Sequence, residues 1–253
     1  MLAMPAAFLG GWLALPAVIL LGARSNRYRK DGAVSAHPPS SIPFLALGAW
    51  ILIVGWFGFN AGSALAANGD AGMAMLVTHV SAAAGALTWM ACEWTRFGRP
   101  SALGAVTGMV AGLGTITPAS GYVGPGGALV IGILAGFVCY HATVFLKQRL
   151  KVDDSLDVFP VHGVGGALGT LLAAVFASAG LGVFSGQGLA EGMTIASQFQ
   201  VQLIGVLASG VYTAIVTFVL LKLIDRMLGL RVSQDEETEG LDLTQHNERG
   251  YDL

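Results

Sequence analysis

Charge is scarce in this chain. Only 11% of its 253 residues are Asp, Glu, Lys or Arg, against about 25% in an ordinary soluble domain. That scarcity argues against a soluble globular surface. Net charge is −2 and no basic stripe occurs, which argues against a nucleic-acid partner. There are only two cysteines, Cys92 and Cys139. Neither has CxxC or Cys/His metal spacing, so both read as small apolar residues in helices, and neither a metal nor a cofactor is expected. No GxSxG, HExxH or paired-carboxylate arrangement falls within the apolar stretches, so an enzyme is not expected. Residues 1–23 lack a basic leading segment and read as a span, or part of one, instead of a cleavable signal.

What is abundant is apolar sequence. Hydrophobic residues make up 54% of the chain and mean hydropathy is +0.68. A spanning helix needs roughly 20 mainly apolar residues. Seven segments qualify: 2–23, 42–67, 71–92, 101–118, 126–146, 158–182 and 198–224. The 36 glycines suit membrane helices, which pack closely through small residues. The expected fold class is therefore all-α, a polytopic helical membrane protein of about seven spans.

The charges orient it. All 13 Lys and Arg fall after the first, third and fifth segments, or at and beyond the end of the seventh. The alternate connectors carry Asp70 and Glu191 and no Lys or Arg. The positive-inside rule makes the basic side cytoplasmic. The N-terminus is expected outside and the C-terminus in the cytoplasm, in the inner (plasma) membrane. Residues 1–230 then form the membrane domain and 231–253 an acidic cytoplasmic tail. The tail reads either as a solvated surface or as a docking element. The Gly- and Pro-rich stretch 93–125 either ends spans or forms a re-entrant backbone.

His162 is the leading candidate for chemistry. It sits in Asp157-Val158-Phe159-Pro160-Val161-His162-Gly163, where the sixth segment begins on the cytoplasmic side. An imidazole facing lipid is costly, so it faces protein or a cavity. It reads either as a pore-lining proton acceptor or as a packing histidine satisfied by a carbonyl. In the second segment Trp56, Phe59 and Ser63 recur at helical spacing and share a face. That face reads either as ordinary packing or as two rings and a hydroxyl able to meet a cation. His79, His141, His37 and His246 are weaker candidates. Asp153, Asp154 and Asp157 precede the sixth segment and suit a helix N-terminus. Asp157 is the one assigned to the cap or to the cytoplasmic pore entrance.

Taken in order, these stretches resemble the ammonium transporter family, the Amt branch of the Amt/Mep/Rh superfamily. Gly55 to Ser63, Glu93-Trp94 through Ser101, Thr117 to Tyr122 with Gly126 to Leu129, Val152 to Gly163, Gly229 to Val232 and Glu239 to Asp242 each match a family segment. The resemblance implies eleven helices, ten of them in two inverted repeats around a pore, and a homotrimer. It implies ammonium/ammonia as the substrate, recruited at a site that includes Ser63 and gated by Phe59. It implies a proton relay through His162 and a pore lined by Trp56 and Thr117. A PII signalling protein at the cytoplasmic face is an implied partner, beside the lipid bilayer. The seven segments correspond to spans 5–11, the second repeat plus the final helix. The family's first pore histidine falls near Ala7, where this sequence has none. Conduction by these residues alone is therefore expected to be compromised. The alternative is a non-conducting membrane module or an ammonium sensor that works through partner docking.

Overall fold

A computed structural model describes residues 6–29, 34, 35 and 37–250. Each of the seven apolar segments overlaps one α-helix. They are α1 (Ala6–Leu21), α2 (Ile42–Gly62), α3 (Gly69–Phe97), α4 (Ala102–Ile116), α5 (Pro125–Val144), α6 (Gly165–Phe176) and α7 (Ile195–Leu228). α5 runs on through a π-helical turn, Phe145–Arg149, and α6 is preceded by another, Phe159–Val164. Five helical stretches are long and apolar enough to cross a membrane: Ile42–Gly62, Gly69–Phe97, Pro125–Arg149, Phe159–Phe176 and Ile195–Leu228. α1 and α4 are shorter apolar helices.

Local chemistry sets the boundaries. Ser41, Asn68, Ser101 and Thr194 cap α2, α3, α4 and α7 with side-chain oxygens, filling donors that an N-terminus leaves open. α3 outruns its apolar stretch to Phe97 because helix-compatible residues continue until Gly98, which adopts φ 74° and ends the helix in the left-handed form glycine tolerates. α6 stops at Phe176, short of the expected 182.

α4 lies at the centre, packed against α3, α5 and α6. Its glycines allow the approach: a Cβ on Gly112 would collide with the Ser81 carbonyl of α3. Val77, Ile116, Ile131 and Ala173 form one fully buried cluster across these four helices. Cys139 sits in a second cluster with Trp89, Ala111, Tyr140 and Val161, a small apolar residue in packing.

The tail is not free. It forms α8 (Gln234–Glu239) and α9 (Leu241–His246). Glu237 accepts from the Ser25 backbone N–H at 2.8 Å and from Arg231 Nη2 at 2.7 Å. Arg231 Nη1 donates to the Leu21 carbonyl at 2.8 Å, closing the C-terminal end of α1.

Candidate functional site

His162 lies inside the π-helical turn that opens α6. Pro160 stands in the first turn, where a missing N–H leaves no carbonyl unpaired. π-turns of this kind concentrate at functional positions. Two contacts hold the turn. Phe159 N donates to Asp154 Oδ2 at 2.7 Å, and Gly163 lies backbone to backbone against Gly11 of α1, with no room for a side chain between them. The imidazole is half-buried. Its Nδ1 is fully covered, close to Gly114 of α4, with no hydrogen-bond partner among the described residues.

His162 opens onto a cavity of about 610 Å³. Gly10 of α1, Ile51, Leu52, Gly55, Trp56 and Phe59 of α2, and Val158 line the rest of it. The Trp56 ring stands nearly parallel to the imidazole, at 13°, with centroids 6.4 Å apart. Phe59 meets Trp56 edge to face at 6.0 Å and is 47% exposed. Trp56 Nε1 donates to Thr117 Oγ1 at 2.8 Å.

Three expected site residues stand outside this lining. Ser63 lies at the exposed C-terminal end of α2, where its hydroxyl donates to the Phe59 carbonyl at 2.7 Å. Thr117 touches the cavity only through Trp56. Asp157 does not cap the helix, because Asp154 does. Asp157 instead adopts φ 58° and pairs with Lys147 Nζ at 2.6 Å. Burial pushes its carboxyl up, against the pull of Lys147. His79 and His141 are exposed beside Phe57 and Phe137, and His37 and His246 are exposed as well. The side chain of Ala7, where the family's first pore histidine would fall, lies outside the described residues. Among the described residues no group of three or more His, Cys, Asp or Glu could hold a metal.

Sequence reasoning missed the clamp beside the turn. Asp153, fully covered, accepts from Arg24 Nε at 2.8 Å, Arg24 Nη2 at 2.9 Å and the Arg24 backbone at 3.0 Å, and pairs with Arg27 Nε at 3.2 Å. Burial raises its pKa, but the Arg24 hydrogen bonds and the charges of Arg24 and Arg27 outweigh that and hold it at about 2. The α1–α2 connector is thereby tied to the segment leading into His162. Asn60 was also missed: buried in α2, it donates to Thr78 Oγ1 at 2.9 Å. A polar side chain within an apolar run was its only signal.

A profile of the Ammonium Transporter Family matches residues 7–251. The chain belongs to the ammonium transporter family. It is 44% identical over 234 residues to the ammonium transporter of Aquifex aeolicus, covering 92% of this chain and 53% of that one. It is 42% identical over 241 residues to Amt1 of Archaeoglobus fulgidus, covering 95% of this chain and 59% of that one. Among solved structures, a chain described as a sensor Amt protein superposes with a TM-score of 0.87 at 32% identity, covering 94% of this chain and 57% of the other. Mep2 of Saccharomyces cerevisiae superposes with a TM-score of 0.78 at 35% identity, covering 90% of this chain and 53% of the other. This family member is a multi-pass helical membrane protein, and it spans about half the length of the curated relatives it matches.

Proposed function

We propose that these helices form one wall of an ammonium-conducting pore, with His162 as a proton acceptor on its path. The observation that carries this reading is an imidazole set beside an indole on a mostly apolar cavity, its Nδ1 covered and without a protein partner. Taking an ammonium-sized cation from water into a low-dielectric passage costs on the order of 20 kcal/mol before relaxation. Neutral ammonia avoids most of that. A cation recruited outside gives up its proton, the imidazole passes the proton on, and ammonia crosses the apolar stretch. Potassium has no proton to give and is rejected.

Ser63 suits recruitment, because its own proton is committed to Phe59 O and its oxygen accepts from an ammonium N–H. Phe59, half exposed on the cavity, is the gate. Asp157 and Lys147 flank the cytoplasmic end. These helices conduct only once further spans of the kind the longer relatives carry close the open side. The closed form is a homotrimer.

Methylammonium uptake in cells lacking their own ammonium transporters tests this. Cells expressing the 253 residues alone should show little uptake. Co-expression of the additional spans of the Aquifex aeolicus relative should restore it, and His162→Ala should abolish the restored signal. Uptake indifferent to His162 overturns the pore reading. Strong uptake by the 253 residues alone overturns the need for completion.

A second reading has its own support. The likeness to a sensor Amt protein, and a tail fastened to the end of α1, suit a non-conducting module that reports ammonium to a PII-type partner. Capture of a PII protein by purified chain, with no uptake in either expression arm, favours it.

A further inference from the structure

The hydroxyl of Thr117 has both of its roles filled by the protein. It donates to the Leu113 carbonyl at 2.7 Å and accepts from Trp56 Nε1 at 2.8 Å. An indole N–H can only donate and a hydroxyl has one proton, so chemistry sets both directions. Thr117 therefore has no proton left for a passing molecule, and it does not line the cavity.

Its partner does. The indole of Trp56 lines the cavity nearly parallel to His162. A tryptophan side chain turns about two torsions, and a hydrogen bond at its edge removes most of that freedom. The anchor is firm, because Thr117 ends α4 just after Ile116, and both Leu113 and Ile116 are fully buried. We propose that Thr117 is a positioning residue, which acts on the His162 cavity through Trp56 by holding the indole plane parallel to the imidazole. Its purpose rests on the pore reading above; the positioning itself does not. A reacting group displaced by about 1 Å can lose most of its effectiveness, so a pinned ring beside the imidazole matters for any proton transfer there.

Fluorine NMR of the whole chain in lipid nanodiscs tests this, with 5-fluorotryptophan at all five tryptophans and Trp56→Phe assigning the Trp56 resonance. Thr117→Val should shift or broaden that resonance and leave the other four in place, and Thr117→Ser should return it. His162→Ala should move the same resonance, since the neighbouring ring current is lost. Where Val disturbs the other four, Thr117→Ala is the variant to read. A Trp56 resonance that stays put in both Val and Ala, or a Ser variant behaving like Val, overturns the proposal. In the completed, transporting form, Thr117→Val combined with Trp56→Phe should lower uptake no further than Trp56→Phe alone; additive losses overturn the route through Trp56. The NMR readout requires no transport, so failure of the pore reading and failure of the positioning are told apart.

Discussion

Asp153→Asn removes one charge and nearly nothing else. The carboxylate it replaces is fully covered, accepts three hydrogen bonds from Arg24 within 3.0 Å and forms an ion pair with Arg27 at 3.2 Å. Its pKa lies at about 2 against an ordinary 3.8. At about 1.4 kcal/mol per unit, that displacement represents roughly 2.5 kcal/mol at neutral pH. Arg24 is 38% exposed, so water recovers part of its share. Arg27 is only 10% exposed and is left buried beside a neutral amide, which works the other way. The net expectation is a loss of about 2 kcal/mol, read as a lower thermal midpoint in detergent by tryptophan fluorescence. The sign with pH follows from a depressed folded-state pKa. The stabilisation is complete above about pH 4 and disappears as pH falls through about 2. The gap between wild type and Asp153→Asn should therefore be constant near neutrality and narrow only in strong acid. High salt should barely alter it, because covered pairs are weakly screened. A variant that melts within about 0.5 kcal/mol of wild type at neutral pH, or a gap that persists in strong acid, would refute the clamp.

Gly11→Ala should destabilise the contact between α1 and the π-helical turn by about 1–3 kcal/mol, since the new methyl meets the Gly163 backbone and overpacking is expensive. Gly10→Ala, with nothing within 4 Å of its Cβ position, is the silent control, and equal melting curves for the two would contradict the packing. Glu237 is held below the ordinary carboxylate range, first by the Ser25 backbone N–H and then by Arg231. Tail attachment should accordingly persist at and above neutral pH and weaken as acid protonates Glu237. Glu237→Gln should speed proteolysis of the tail at neutral pH, and equal cleavage rates would show that the attachment does not depend on this charge.

The seven helices were legible because each overlaps one apolar segment and a membrane span has a minimum length. Their ends were less so: nothing in hydropathy says that α3 continues to Gly98. The site was legible in part. His162, Trp56 and Phe59 line one cavity; helical spacing had linked only the two aromatic residues, and it was the family resemblance that grouped His162 with them. Ser63 and Thr117 do not line it, because the shared-face argument specifies direction around a helix and not depth along it, and because Thr117 spends its hydroxyl inside the protein. Asp154, not Asp157, caps the turn, because the backbone reverses at Asp157 with φ 58°, a local event that no 3.6-residue pattern registers. The Arg24–Asp153 pair joins positions 129 residues apart, and one sequence holds no signal for that.

Burial is uneven across the bundle, and the unevenness has chemical content at one place. The apolar windows of α2 and α7 are 11% and 17% buried, against 39–44% for those of α3, α5 and α6. Val54, roughly two-thirds exposed, is a hydrocarbon side chain that acyl chains can cover at no penalty, so exposure of α2 as such demands nothing. His162 is different. Acyl chains offer no hydrogen bond, and a polar atom left unpaired in such surroundings costs about 1–3 kcal/mol. The covered Nδ1 has no partner among the described residues. That atom is closed off beside Gly114, so on the open side it is the cavity-facing edge of the ring where an added helix would do most, because there it can offer a hydrogen-bonding group as well as apolar surface.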